Sequence, residues 1–124
     1  MAMNSYLLGV SGESIAEKHY LSLGYKVLAK NFRSHQGEID LVASLGSLLV
    51  FIEVKNYSYR NFCPPAAAIR KSKKENIVHA ARYYLYKNKI KETNCRFDVL
   101  TITRHLGNDP IIERIENAFE VTGC

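Results

Sequence analysis

The sequence predicts an α/β fold: an N-terminal helix, a three-stranded antiparallel meander, a long crossover helix, a parallel fourth strand and a short C-terminal element. Three observations carry that expectation. A helical stripe lies between a capping serine and a terminating glycine, apolar stretches flank a two-residue turn, and a long basic helix separates two strand-like stretches. Strand, long helix and strand together form a crossover unit, which makes the two strands parallel neighbours in one sheet.

Ser11 is a favourable N-cap for a helix from about Gly12 to Leu23, and Gly24 suits its left-handed end. Glu13, Ala16, Tyr20 and Leu23 share one face of that helix. Strands follow at Tyr25–Arg33, Glu38–Ala43 and Leu48–Lys55. Gly46-Ser47 predicts a type II′ hairpin turn, whose register sets Asp40 opposite Glu53 and Glu38 opposite Lys55. Leu49 and Phe51 alternate with Val50, Ile52 and Val54, so Leu48–Lys55 reads as a central strand, apolar on both faces. Glu53 and Lys55 continue one of those faces.

Pro64-Pro65 breaks the chain before a helix that runs from Ala66 to about Lys87. Ile69, Ile77, Ala80 and Tyr84 form its apolar stripe, and Lys73 falls in the middle of it. A lysine there either snorkels past the helix end or reaches an anion. Cys95–Thr103 is the parallel strand. Beyond Asn108-Asp109-Pro110 two readings stay open: Ile111–Glu116 as an edge strand, or Ile112, Ile115 and Phe119 at helical spacing.

With 124 residues, 47% of them hydrophobic, and no repeat or linker, the chain is expected to form one domain over residues 1–124. Its net charge of +5 is unevenly spread. Ala66–Lys91 holds eight Lys/Arg against one Glu, so the remainder is slightly acidic. A basic helix beside acidic strands suits a polyanionic partner. Nucleic acid is favoured over a membrane, because Leu48–Ile52, the longest apolar run, cannot span a bilayer and no Trp/Phe-rich amphipathic basic helix is present. The amino terminus does not read as a signal peptide, and Cys63, Cys95 and Cys124 form no C-x-x-C pair. The expected compartment is the cytoplasm. The four histidines never occur at H-x3-H spacing, so no structural zinc site is expected.

Asp40 facing Glu53 is a like-charge pair that a purely structural sheet should avoid. At an effective dielectric near 20, two such charges about 4 Å apart repel by roughly 4 kcal/mol. Either a shared proton or a divalent cation held by carboxylate oxygens would offset this, and Mg²⁺ or Mn²⁺ suits such ligands. Lys55, about 6.6 Å along the strand from Glu53, is placed to act on the same ligand or to pair with Glu38. Glu13 either serves the helix dipole or points inward toward the carboxylates. Arg96 and Asp98 offer further charges, for the site or for pairing with neighbouring surface groups.

Gly12-Glu13-x-x-Ala16, Asn31-x-Arg33, Gly37-Glu38-Ile39-Asp40-Leu41, Phe51-Ile52-Glu53-Val54-Lys55, Lys73 and Arg96-Phe97-Asp98, taken as an ordered series, resemble the YraN-like family of uncharacterised bacterial proteins. That family is similar to the restriction-endonuclease-like superfamily, in particular to archaeal Holliday-junction resolvases. The resemblance implies a restriction-endonuclease-like fold and a Mg²⁺-dependent nuclease site, with Mn²⁺ as an alternative ion. Asp40, Glu53 and Glu13 match its metal-binding acids and Lys55 its catalytic lysine. Glu38 belongs to the motif, with Arg96 as a further supporting group. Lys73, Arg70, Lys74 and Arg33 are the candidate nucleic-acid contacts. Lys55-Asn56-Tyr57 departs from relatives that carry an arginine two residues after the lysine, and His79-x-x-x-Tyr83 stands where some nucleases carry Gln-x-x-x-Tyr.

The expected function is hydrolysis of a nucleic-acid phosphodiester, with DNA favoured and branched DNA as one substrate. A two-fold homodimer would set two sites on strands of matching symmetry. The alternative is a non-catalytic binding module that keeps the nuclease fold within a DNA-processing assembly.

Overall fold

A computed structural model describes residues 11–58, 71–104, 107 and 109–119. Helix α1 (Gly12–Ser22) begins where Ser11 Oγ accepts the Ser14 N–H at 3.1 Å, and it ends through Leu23 into Gly24 at φ +92°. Ala16 and Tyr20 of its predicted stripe are buried. Leu23 is 44% exposed instead, because it already caps the helix and no longer follows helical spacing.

Strands β1 (Lys26–Arg33), β2 (Glu38–Leu45) and β3 (Leu48–Ser58) form the antiparallel meander. The β2–β3 turn has positive φ at Gly46 (+59°) and not at Ser47, as a type II′ turn requires. Its register is the predicted one from Leu45↔Leu48 to Leu41↔Ile52, where the ladder stops. Glu38 therefore does not face Lys55; it pairs with Arg33 across β1.

Helix α2 is described over Lys71–Lys87, and its predicted start at Ala66, together with Ile69, lies outside the described residues. Ile77, Ala80, Ala81 and Tyr84 are its buried face. Strand β4 (Asn94–Arg104) runs parallel to β3 without interruption from Leu48↔Asn94 to Ser58↔Arg104. The tail resolves to an edge strand, β5 (Ile111–Ile115), antiparallel to β4. The open edge of β4 favours that choice. Phe119 reaches the core from the following turn, where its ring stacks on Phe97 at 5.0 Å and the Ala118 N–H donates to the Phe97 carbonyl.

The sheet order is β1-β2-β3-β4-β5, with a helix on each face. Val42, Leu49, Phe51 and Val99 pack under α2; Leu41, Val50, Ile52 and Leu100 pack under α1. Burying both faces makes β3 the rigid centre from which Glu53 projects. No helix among the described residues is long and apolar enough to cross a membrane.

Candidate metal and catalytic centre

The site forms where the regular pleat of the meander breaks. Residues three apart on a strand should lie on opposite faces. Yet Ala29 and Phe32 of β1 both join the core under α2, and so do Ile39 and Val42 of β2. The interruption falls between them, at Asn31 (φ +50°) and at Asp40 opposite it, flanked by the pairs Lys30↔Leu41 and Phe32↔Ile39. Asparagine tolerates this left-handed backbone better than most residues. Freed from the ladder, the Asp40 carboxylate Oδ2 accepts the Val54 N–H at 2.7 Å and so lies against β3 beside Glu53.

Glu53 is 8% exposed and faces α2. Burial first, then a hydrogen bond with the Asp40 carboxyl and the charge of that group, raise its pKa from 4.5 to about 8 against the opposing effect of Lys73. Its Oε2 is enclosed by protein and accepts no hydrogen bond. Compensation comes from the Lys73 Nζ, 3.4 Å away, at too great a distance for a strong charge-assisted hydrogen bond. The lysine on the apolar face of α2 thus reaches an anion, one of the two outcomes its position allowed.

Lys55 lies on the face of β3 that carries Glu53, half-buried, with no ion pair among the described residues. Glu13 is placed differently from the pair. Its Oε2 accepts from Asn31 Nδ2 at 2.5 Å, which ties the first turn of α1 to the break in β1. Among the described residues no three of His, Cys, Asp and Glu gather closely enough to hold one ion, so Glu13 does not complete a three-acid cluster with the neighbouring Asp40 and Glu53. Gly12 lets the Asn56 side chain lie close against α1: a Cβ there would come within 2.7 Å of it, and that exposed amide would have to turn aside.

Arg33 bridges Glu38 at 3.4 Å in largely exposed surroundings. Lys74 Nζ lies 5.7 Å from the centre of the Phe119 ring. Arg70 lies outside the described residues. Arg96 belongs to the opposite face of the sheet from Glu53 and is bound at 2.8 Å through both Nε and a terminal nitrogen to the buried Asp98. The pairing is with neighbouring groups, but in the interior rather than at the surface, since Asp98 and Tyr20 are buried, and the network extends to Tyr20, Tyr25 and Arg114.

Two contributors escaped sequence reading. Asn31 was visible only as part of Asn31-x-Arg33, although an asparagine inside a strand is itself a signal of left-handed backbone. The second is a clamp: Ser34 Oγ lies 3.2 Å from His79 Nδ1, and a Cβ at Gly37 would come within 2.3 Å of the Asn76 carbonyl oxygen. It presses the β1–β2 turn, and so the start of the strand bearing Asp40, onto the helix bearing Lys73.

The donor set fits a hard divalent cation. Two adjacent carboxylates, one with an enclosed oxygen that lacks a hydrogen bond, are the ligands such an ion prefers.

Comparison with known proteins places the chain in a family. The profile of the Uncharacterised protein family UPF0102 matches residues 12–102, from Gly12 at the α1 approach to Ile102 on β4. A UPF0102 protein of Geobacter metallireducens is 40% identical over 121 residues, covering 98% of each chain. One from Thermodesulfovibrio yellowstonii is 43% identical over 112 residues, covering 90% of this chain and 95% of its own. The chain belongs to the uncharacterised protein family UPF0102, the YraN family.

Proposed function

We propose that this protein is a divalent-metal-dependent nucleic-acid phosphodiester hydrolase acting on DNA. The observation that carries the reading is the pair formed by the buried Glu53 and the half-buried Asp40, with the Lys73 ammonium beside it. A merely structural sheet gains nothing from setting a second carboxyl, that of Asp40 on β2, beside Glu53 in the middle of its central strand. Asp40 and Glu53 are the residues that would hold Mg²⁺ or Mn²⁺. When bound, such an ion polarises a phosphoryl oxygen and acidifies a water molecule.

The chain's own residues supply the rest. Lys55 offers an ammonium to the phosphoryl oxygens on which charge develops. Lys73, freed from Glu53 when another cation neutralises that carboxylate, is placed to hold an adjacent phosphate, and the remaining cations of α2 extend the contact. Glu13 acts through Asn31, fixing the break in β1 that frees Asp40 from the ladder.

The test combines binding and turnover. Calorimetry with Mn²⁺ should find a site that Glu53→Ala abolishes, and a panel of duplex, single-stranded, flap and four-way-junction DNA should be cut with Mg²⁺ or Mn²⁺ by wild type and not by Asp40→Ala. No cleavage of any substrate, or equal cleavage by Asp40→Ala, would sink the enzymatic reading. DNA binding indifferent to both metal and Glu53→Ala would identify the non-catalytic module instead.

A further inference from the structure

The flank of α2 that overhangs β1 carries an aromatic surface with no part in the acidic centre. Tyr83 is 40% exposed and Tyr86 is 80% exposed. They stand three residues apart, on one side of the helix. The Tyr83 ring lies 5.9 Å from that of Phe32 at 32° between planes, and the Lys87 ammonium sits 6.0 Å from the centre of Phe32. The core does not need these rings at the surface, since the neighbouring Tyr84 supplies the buried contact, edge-on to both Phe32 and Phe51.

Two further observations say what fits there. Cations border the rings: Lys87 lies over one of them, and the exposed Lys89 and Lys91 follow along the chain. The surface also shares its helix and its β1 strand with the neighbourhood of the acidic centre. Phe32 is the ladder partner of Ile39, the residue before Asp40, while ten residues of helix, about 15 Å, separate Tyr83 from Lys73. Exposed aromatic faces interspersed with cations bind unpaired bases by stacking while the cations hold the backbone. Duplex DNA, its bases already stacked, cannot use such rings.

We propose that Tyr83 and Tyr86, backed by Phe32, form a stacking platform for unpaired bases, so that the substrate carries a single-stranded segment beside the phosphate at the acidic centre. The inference rests on the nucleic-acid reading above and narrows its substrate class. Charge complementarity selects a polyanion over an apolar protein partner at this surface.

The experiment measures binding in EDTA, so that neither metal nor cleavage enters. Labelled oligo-dT and a duplex of the same length are titrated with the full chain and with Tyr83→Ala, Tyr86→Ala and Tyr83→Phe. Each alanine variant should weaken oligo-dT binding about 5- to 150-fold, the range for loss of one base–aromatic stack. Duplex affinity and the salt dependence should stay at the wild-type values, and Tyr83→Phe should retain oligo-dT affinity. Both tyrosines are exposed, so these variants keep the core intact. Unchanged oligo-dT binding by the alanine variants overturns the platform, as does an equal loss on single strand and duplex. So does a wild-type dimer, seen by sedimentation, that Tyr86→Ala dissociates without affecting DNA binding. Each of these leaves the nucleic-acid reading standing. That reading falls, and the platform with it, only if the wild type binds neither oligonucleotide.

Discussion

Lys73 Nζ stands 3.4 Å from Glu53 Oε2, joining the first turns of the described α2 to the central strand β3. The contact solves a charge problem set by the fold. Asp40, beyond the end of the β2–β3 ladder, brings a second carboxyl against Glu53, whose enclosed Oε2 accepts no hydrogen bond. A proton and an ammonium together hold the pair; on the proposed function, a divalent cation would replace both.

The pH dependence of stability follows from Glu53. Its folded pKa is raised, through burial first and Asp40 second, to about 8 from 4.5. An acid whose folded pKa lies above the unfolded value stabilises fully below the unfolded pKa and loses that contribution as pH rises through the folded one. Thermal stability should therefore decline between about pH 4.5 and pH 8, apart from other groups. Glu53→Gln should flatten the decline and raise Tm at pH 9 by about 3 °C over wild type, read by calorimetry. A wild-type Tm that climbs steadily through this window, with the variant tracking it, would refute the assignment.

Adding Mn²⁺ should reverse the same loss. An ion that binds only the folded chain stabilises it by about 2.7 kcal/mol at one hundred times its Kd, and binding competes with the proton on Glu53. The Tm gain should thus be larger at pH 8.5 than at pH 6, and absent in Asp40→Ala. Equal gains at both pH values would point to metal bound elsewhere.

Much of this arrangement is legible in the sequence, because it rests on local patterns. The alternation from Leu49 to Val54 identifies the central strand, and Gly46-Ser47 sets a register that holds as far as Leu41↔Ile52. Lys73 betrays itself by interrupting an apolar stripe. What stays hidden depends on residues distant in sequence. The release of Asp40 needs the left-handed Asn31 across the ladder, and the retreat of Glu13 from the acid pair needs its bond to that same asparagine. The tail fits both periods over its few residues, and only the open edge of β4 decides between them.

On the other face of the sheet, Asp98 holds together elements far apart in the chain. It accepts from Tyr20 Oη at 2.8 Å, from two Arg96 nitrogens at 2.8 Å and from the Asn117 N–H at 3.1 Å. Burial and the Asp98 carboxylate push the Tyr20 hydroxyl far above the usual phenol range, so it stays a donor at any working pH. Asp98→Asn leaves the Arg96 guanidinium only the half-exposed Glu116 carboxylate, 3.9 Å away, and should cost about 3 kcal/mol in urea denaturation. Tyr20→Phe removes one donor and should cost about 1 kcal/mol. A loss under 1 kcal/mol for Asp98→Asn would contradict this role.

Gly37 offers the sharpest test of how the site is assembled. Its φ is not in the left-handed region, so glycine is required there by space alone: a Cβ would meet the Asn76 carbonyl oxygen at 2.3 Å, and backbone cannot swing aside as a flexible side chain can. Gly37→Ala must therefore push the β1–β2 turn away from α2, at a cost of about 1–3 kcal/mol typical of overpacking. The strain falls where the turn leading into the Asp40 strand meets the helix that carries Lys73, and the Ser34–His79 contact should open with it. The variant should lose Mn²⁺ affinity as well as stability, whereas Gly46→Ala, strained by its positive φ with open space around it and remote from the acids, should lose stability alone. If both variants lose stability and keep wild-type Mn²⁺ affinity, the clamp does not position the acid pair.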